Sequence, residues 1–308
     1  MADVYITGAS GVLGAELTLH LMQDTGSSLR AVSRKPCPLL PTDHPAQIIV
    51  DSLFDANWFT HGHRQATILH CAGLSDPRQH FPSVATLTQD HIQPHIAMIE
   101  ALLTRGWRGR LIFLSSGGTV YGNPLRLPIP ETHPTAPISH YGLHKLLLEH
   151  AMAHLAITRG FELIILRVSN PYGSTLTKPN QGVIPILFRA YHTDSLFQII
   201  GDGAALRDYL HITDLCRAVS LCLNHQMQNP VLTLNIGSGT GTTLAALITL
   251  IGDLTHQRLR TRHIPAIHDV HSNVLCNRRA ETVLGWQPQV PLREGLHRHV
   301  TRGDPPAL

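Results

Sequence analysis

The chain has 308 residues, 43% of them hydrophobic and 15% charged, enough to bury a large core as one α/β unit or as a main domain with a smaller lobe. A net charge of +3 spread over scattered Lys and Arg argues against nucleic-acid binding, which needs a concentrated basic stripe. No apolar run reaches the ~18 residues of a membrane span, and no signal peptide fits the start, so the expectation is a cytoplasmic protein away from the membrane.

The five cysteines, Cys37, Cys71, Cys216, Cys222 and Cys276, are odd in number and lack C-x-x-C spacing, which points to reduced thiols and not to a disulfide framework or zinc site. Histidine is abundant at 22. The closest clusters, His61-Gly62-His63 and His297-Arg298-His299, bring no third ligand at a metal spacing, so no metal is expected.

Short apolar runs at Val4–Thr7, Leu29–Ser33, Ile48–Val50, Thr67–His70, Leu111–Leu114 and Leu163–Val168 read as strands buried on both faces. Helical segments fall at 12–23, 88–105 and 137–159. This alternation predicts right-handed βαβ units and an α/β, doubly wound parallel sheet. Residues 35–47 hold four prolines and predict an irregular crossover where a helix would otherwise stand.

After Asn170 the pattern mixes short strands and helices: 183–193, 197–200, 213–226, 231–236, 242–253, 278–284 and 292–301. The expected division is a dinucleotide-binding domain over 1–169, with 205–236 returning to its sheet. A smaller α/β substrate lobe is expected over 170–204 and 237–308.

"ITGASGVLG" places Gly8, Gly11 and Gly14 between the first strand and the first helix. Such a turn lets backbone approach a pyrophosphate, with the amides around Val12 and Leu13 at the helix N-terminus facing the phosphates. The dinucleotide-binding sheet is therefore expected to be Rossmann-type. At the end of the second strand, Ser33, Arg34 and Lys35 stand where an NAD site carries an acid, so the reading favours NADP over NAD.

Tyr141 and Lys145 in "YGLHK" lie one helical turn apart and project from one face. An ammonium and a nicotinamide cation nearby would pull a tyrosine from about 10 towards neutrality, making Tyr141 a candidate base for a substrate hydroxyl.

Together with the glycine turn, "DSLFD", "ILHCAGL", "LSSGGTVYG" and "YGLHK" resemble the extended short-chain dehydrogenase/reductase family, in its nucleotide-sugar epimerase/dehydratase branch. "LRVSNPYG", "GDGAALRDYLHITDL", "LNIGSGTGTT" and "AETVLGWQP" continue the likeness in the family's order, from residue 4 to about residue 296. The resemblance implies Asp51 and Ser52 near the adenine, and Cys71, Ala72 and Gly73 along the cofactor's ribose and pyrophosphate. It implies Asn170 and Arg207 on the substrate's diphosphate, and Gln181, Val183 and Asp269 around its nucleoside or sugar. It also implies a homodimer through a bundle that includes the 88–105 and 137–159 helices. Cys276 stands where the family often has Asp, and Ser75 where some epimerases carry Lys.

The branch has its relay Ser or Thr where this chain has Gly117. Thr119, two residues on, can share a side of the chain and is placed ahead of Ser116, since adjacent strand side chains point apart. Thr119 is also a candidate contact to the sugar. Glu131 matches a recurrent family Glu and is equally explained by a salt bridge.

The leading expectation is an NAD(P)-dependent UDP-sugar 4-epimerase, with Tyr141 as base, Lys145 assisting, and a transient 4-keto sugar. The alternative is an NADPH-dependent 4-keto-6-deoxysugar reductase, favoured by Ser33-Arg34-Lys35. A 4,6-dehydratase fits less well, because Gly118 and Thr119 occupy its acidic positions. A dinucleotide sensor without chemistry would need neither Tyr141 nor Lys145.

Overall fold

The structure is a computed structural model that describes residues 3–24, 28–73, 79, 81–176, 182–265 and 272–301. Its elements run β1 (Val4–Thr7), α1 (Val12–Asp24), β2 (Leu29–Ser33), β3 (Gln47–Ile49), β4 (Thr67–His70), α2 (Val84–His91) and α3 (Gln93–Thr104). Then come β5 (Arg110–Ser116), α4 (His140–Arg159), β6 (Glu162–Val168), β7 (Asn170–Tyr172), α5 (Val183–His192), β8 (Phe197–Ile200) and β9 (Leu206–His211). The chain finishes with α6 (Ile212–Asn224), β10 (Val231–Ile236), β11 (Gly241–Thr243), α7 (Leu244–Thr255), β12 (Thr261–Ile264), α8 (Arg278–Leu284) and α9 (Leu292–Thr301).

Two compact units form. The first is Met1–Ser116, Ser139–Arg167 and Cys216–Leu234; the second is Gly117–Ile138, Val168–Leu215 and Asn235–Leu308. The first unit is built on a seven-stranded sheet in the order β10-β6-β5-β4-β1-β2-β3. Its registers from β5 through β4, β1 and β2 to β3 are parallel. This is the doubly wound α/β arrangement expected, because β1, β4 and most of β5 and β6 are buried on both faces.

The helix expected over 88–105 is two helices. Pro94 at the start of α3 cannot donate a backbone hydrogen bond, so α2 ends at His91 and α3 begins at Gln93. Ser139 caps α4 by accepting from the Gly142 amide, and Gly160 in the left-handed region at φ 73° ends it. No helix appears over 35–47.

The second unit holds a three-stranded sheet, β11-β9-β7, and a two-stranded one, β12-β8. Its core gathers Tyr172, Leu187, Phe188, Leu247, Ile251 and Leu296. β10 lies at one edge of the seven-stranded sheet, whereas β9 pairs with β7 and β11 in the three-stranded one. The fully buried Asp208 carboxylate explains the difference. It accepts from the amides of Ser238, Gly239 and Leu275 and the hydroxyl of Ser238, all in the second unit, and so pins β9 there.

Candidate active site

The turn after β1 is shaped for close backbone approach. Gly8 sits at φ 77°, and a Cβ there would lie 2.7 Å from the Ala72 amide nitrogen. A Cβ on Gly14 would run into the Gly8 carbonyl oxygen. The Gly11 amide donates to that carbonyl at 2.9 Å, which closes the turn just before α1 begins at Val12. The first-turn amides around Val12 and Leu13 have no partner within the helix, so the cradle suits an anionic pyrophosphate. Cys71 and Ala72, at the end of β4, abut Gly8, and Gly73 follows in a conformation glycine favours at φ 141°. The residues present therefore fit a dinucleotide.

At the end of β2 the picture is narrower than the sequence suggested. The Ser33 hydroxyl is 1% exposed and donates to the Lys35 carbonyl at 2.6 Å, so it is turned inward and its proton is committed. Arg34 and Lys35 stand exposed. Asp51 is exposed too, while the Ser52 hydroxyl accepts from the Phe54 amide at 3.1 Å.

Tyr141 and Lys145 lie on the first turns of α4, facing the end of β5. The Lys145 ammonium donates to the Leu114 carbonyl at 2.9 Å and stands 5.8 Å from the centre of the Tyr141 ring and 5.0 Å from that of Phe113. Burial lowers the lysine to about 8, against upward pulls from Cys71 and Glu149. Burial also pushes the Tyr141 phenol up to about 12, opposed by a hydrogen bond with the Ser116 side chain. Desolvation thus moves Tyr141 in the direction opposite to the pull expected of Lys145.

Strand β5 runs through Ser115 and Ser116, two residues beyond the predicted end, and this settles where the hydroxyls go. Ser115 donates to Glu149, whereas the Ser116 side chain acts on the Tyr141 phenol, pulling its pKa down against burial. Thr119 falls in the turn after the strand, where alternation no longer applies. Its hydroxyl is buried without a protein partner. A lone buried hydroxyl costs about 1–3 kcal/mol, so a ligand or water is its natural partner.

In the second unit, Asn170 on β7 pairs with Tyr209 of β9, two residues from Arg207 on the same strand. Asn170 donates to the Asp208 carbonyl at 2.9 Å, and Arg207 is half-buried beside Thr242 of β11 and Asn273. The structure therefore brings these two onto one small sheet. Val183 opens α5, preceded by Gly182 at φ 81°. Gln181, Asp269 and Ser75 lie outside the described residues. Glu131 accepts from the Asn235 amide at 2.8 Å, and Asn235 accepts in turn from the Tyr121 hydroxyl at 2.7 Å, so Glu131 holds loop structure. Cys276 is buried and carries a free thiol.

Sequence reading missed two groups around Lys145. One is a buried ion pair, Glu149 with Arg167. The other is a row of imidazoles: His70 between the Thr7 hydroxyl and His95 at 2.7 Å on each side, then His144 in ring contact with His95. His144 Nε2 lies 3.0 Å from the His91 carbonyl, which can only accept, so Nε2 carries the proton and Nδ1 is a bare acceptor. Spacing could not reveal the row, because its members come from β4, α3 and α4. Among the described residues no group of three or more metal-ligating side chains occurs, and no helix is long and apolar enough to cross a membrane.

The model of the NAD dependent epimerase/dehydratase family matches residues 4–237. The chain is similar to a dTDP-4-dehydro-6-deoxyglucose reductase of Escherichia coli, 31% identical over 242 residues, which make up 77% of this chain and 74% of that protein. It is similar to a UDP-glucose 4-epimerase of Rhizobium leguminosarum bv. trifolii, 28% identical over 75% of each chain. The structure of MoeE5 in complex with UDP-glucuronic acid and NAD superposes with a TM-score of 0.84 at 28% identity, covering 98% of this chain and 99% of that one.

Proposed function

Since the chain belongs to the NAD dependent epimerase/dehydratase family, a family of enzymes of the extended short-chain dehydrogenase/reductase type, we propose that it is a nucleotide-sugar epimerase, most simply a UDP-sugar 4-epimerase. The observation that carries this reading is the buried pair Tyr141 and Lys145 on one face of α4, with the ammonium 5.8 Å from the phenol ring and held by the Leu114 carbonyl at the end of β5. The UDP-sugars named with similar proteins support the substrate class.

Held by the glycine turn after β1, a nicotinamide dinucleotide would supply the acceptor and donor of the sugar's C4 hydride. Tyr141 takes the sugar's 4-hydroxyl proton onto its phenolate oxygen and gives it back after the 4-keto sugar has turned over. Phenolate in a buried site needs positive charge close by, and Lys145 supplies one charge from the chain itself. Ser116, whose side chain lowers the Tyr141 pKa, can pass the proton between the phenol and the sugar oxygen. Thr119, with its lone hydroxyl, is the second contact to the sugar. Arg207 and Asn170, on adjacent strands, hold the diphosphate, with Val183, Gln181 and Asp269 around the nucleoside or sugar. Gly8, Gly11, Val12, Leu13 and Gly14 hold the cofactor's phosphates, and Asp51, Ser52 and Cys71 to Gly73 its adenosine and ribose.

A second reading, an NADPH-dependent reductase of nucleotide 4-keto-6-deoxysugars, has one observation behind it. Arg34 and Lys35 are exposed cations at the end of β2, suited to a 2′-phosphate, and the similar Escherichia coli protein is named a reductase. The purified chain, offered UDP-sugars with no added cofactor and then 4-keto sugars with NADPH, decides between the two. Turnover of a UDP-sugar on retained cofactor supports the epimerase, and stoichiometric NADPH consumption with a keto sugar sinks it.

A further inference from the structure

Beneath the reacting pair the first unit buries two more charges. Glu149 is 3% exposed and Arg167 8%. Arg167 Nε lies 3.1 Å from both carboxylate oxygens of Glu149, and its Nη2 lies 2.6 Å from Oε2. Ser115 adds a hydroxyl donor to Oε1. Tyr141, Lys145 and Glu149 follow one another at four-residue steps along α4, so all three project from one face.

Such a buried pair is not self-evidently stabilising, since an apolar trio of the same volume often serves the fold as well. Its position suggests another use. Lys145 is 6% exposed, and burying an ammonium strongly favours its loss of a proton unless a counter-charge is near. The groups around it are largely uncharged. From β4 and the residue after it come His70 and Cys71, from α3 His95, from α4 Tyr141 and His144, and from β5 the Phe113 ring and the Leu114 carbonyl. Burial and the positive neighbour keep the three imidazoles neutral, and the Cys71 thiol is pushed up to about 12. Of the two groups that pull Lys145 upward, the Cys71 thiol is neutral at pH 7, which leaves Glu149, one turn further along the same face of α4 and paired with Arg167 of β6.

We propose that Glu149 is a positioning residue that keeps Lys145 an ammonium at neutral pH inside its dry pocket, with Arg167 and Ser115 fixing the carboxylate. The functional consequence rests on the reading of Lys145 as the partner of Tyr141. Glu149 touches neither substrate nor cofactor and acts through Lys145.

The lysines of the chain are Lys35, Lys145 and Lys178, so the side-chain carbons of lysine labelled with carbon-13 give a spectrum simple enough to titrate one residue in the full chain. The Lys145 signal is assigned by its loss in Lys145→Arg. Its midpoint is expected near 8 in the wild type. Glu149→Gln lowers it by about one unit or more, the range an opposite charge within 4–6 Å commands. Arg167→Gln raises it, because the carboxylate is no longer shared. The Glu149→Gln/Arg167→Gln pair strands neither buried charge, keeps the fold where the single change disrupts it, and again lowers the midpoint.

A midpoint that stays put in both glutamine-149 variants overturns the proposal, as does a shift in the same direction for Arg167→Gln and Glu149→Gln. The titration needs no substrate. Shifts of the expected sign without turnover of any UDP-sugar therefore leave this inference standing and remove only the assigned reaction.

Discussion

The row of buried imidazoles makes stability fall steeply with acid. His70, His95 and His144 are 0%, 2% and 0% exposed. Burial first, and then the positive charge of Lys145 and of one another, holds His70 well below the ordinary value, His95 at about 3 and His144 at about 2. The unfolded chain takes up these protons at about 6.5. Their contribution is therefore complete above that pH and is lost progressively as pH falls from 6.5 towards the folded-state values, because only the unfolded state binds the protons. Between pH 7 and pH 5 His95 and His144 each remove about 2 kcal/mol, about 4 kcal/mol together, and His70 acts in the same direction. That is a large share of the whole stability of an ordinary domain, roughly 5–15 kcal/mol. Urea unfolding of the full chain at the two pH values, followed by circular dichroism, reads the difference directly. His95→Gln, whatever it costs at pH 7, is expected to shrink the pH 7 to pH 5 difference by about 2 kcal/mol. A wild-type difference below about 1 kcal/mol would refute the reasoning, as would imidazole resonances titrating near the free value.

Other expectations concern the site. Tyr141→Phe should lose nearly all turnover while binding cofactor as tightly as the wild type; wild-type-like turnover would remove the assigned base. Ser116→Ala should cost about 10²–10³-fold in kcat, in the range of a lost proton-transfer contact, and more than Thr119→Ala, since Ser116 is the hydroxyl that pulls the Tyr141 pKa down. Equal losses would restore Thr119 as the relay. Gly8→Ala meets the Ala72 backbone at 2.7 Å and demands a left-handed alanine, so cofactor binding by fluorescence or calorimetry should fall at least tenfold. Arg34→Ala should weaken NADP and leave NAD unchanged if the cation reads a 2′-phosphate; equal effects on both would end the NADP preference.

The first unit was legible because fully buried parallel strands write themselves as unbroken apolar runs. Val4–Thr7, Leu29–Ser33 and Thr67–His70 were found to the residue. The glycine turn was legible for a different reason: Gly8 and Gly14 are positions where backbone approach leaves no room for a Cβ, and that requirement survives in the sequence. What escaped was long-range. The preference for Thr119 rests on strand alternation, and Thr119 lies in the turn beyond the end of β5 at Ser116, where alternation does not reach. Lowering of the Tyr141 pKa by Lys145 was expected from spacing alone, but burial, which spacing does not encode, acts in the opposite direction. β9 pairs outside the main sheet, beside a carboxylate that collects amides from about 30 residues onward, at Ser238 and Gly239, and from 67 residues onward, at Leu275.

The central claim is a sugar oxidised and re-reduced at C4 on one retained cofactor, with Tyr141 moving the proton. UDP-glucose and UDP-galactose carrying deuterium at C4, incubated with the purified chain and no added dinucleotide, test it most directly by NMR of the product. The prediction is interconversion of the two sugars with the label kept at C4, abolished in Tyr141→Phe. Absence of interconversion, together with one equivalent of NADPH consumed per 4-keto sugar in a parallel assay, would contradict it.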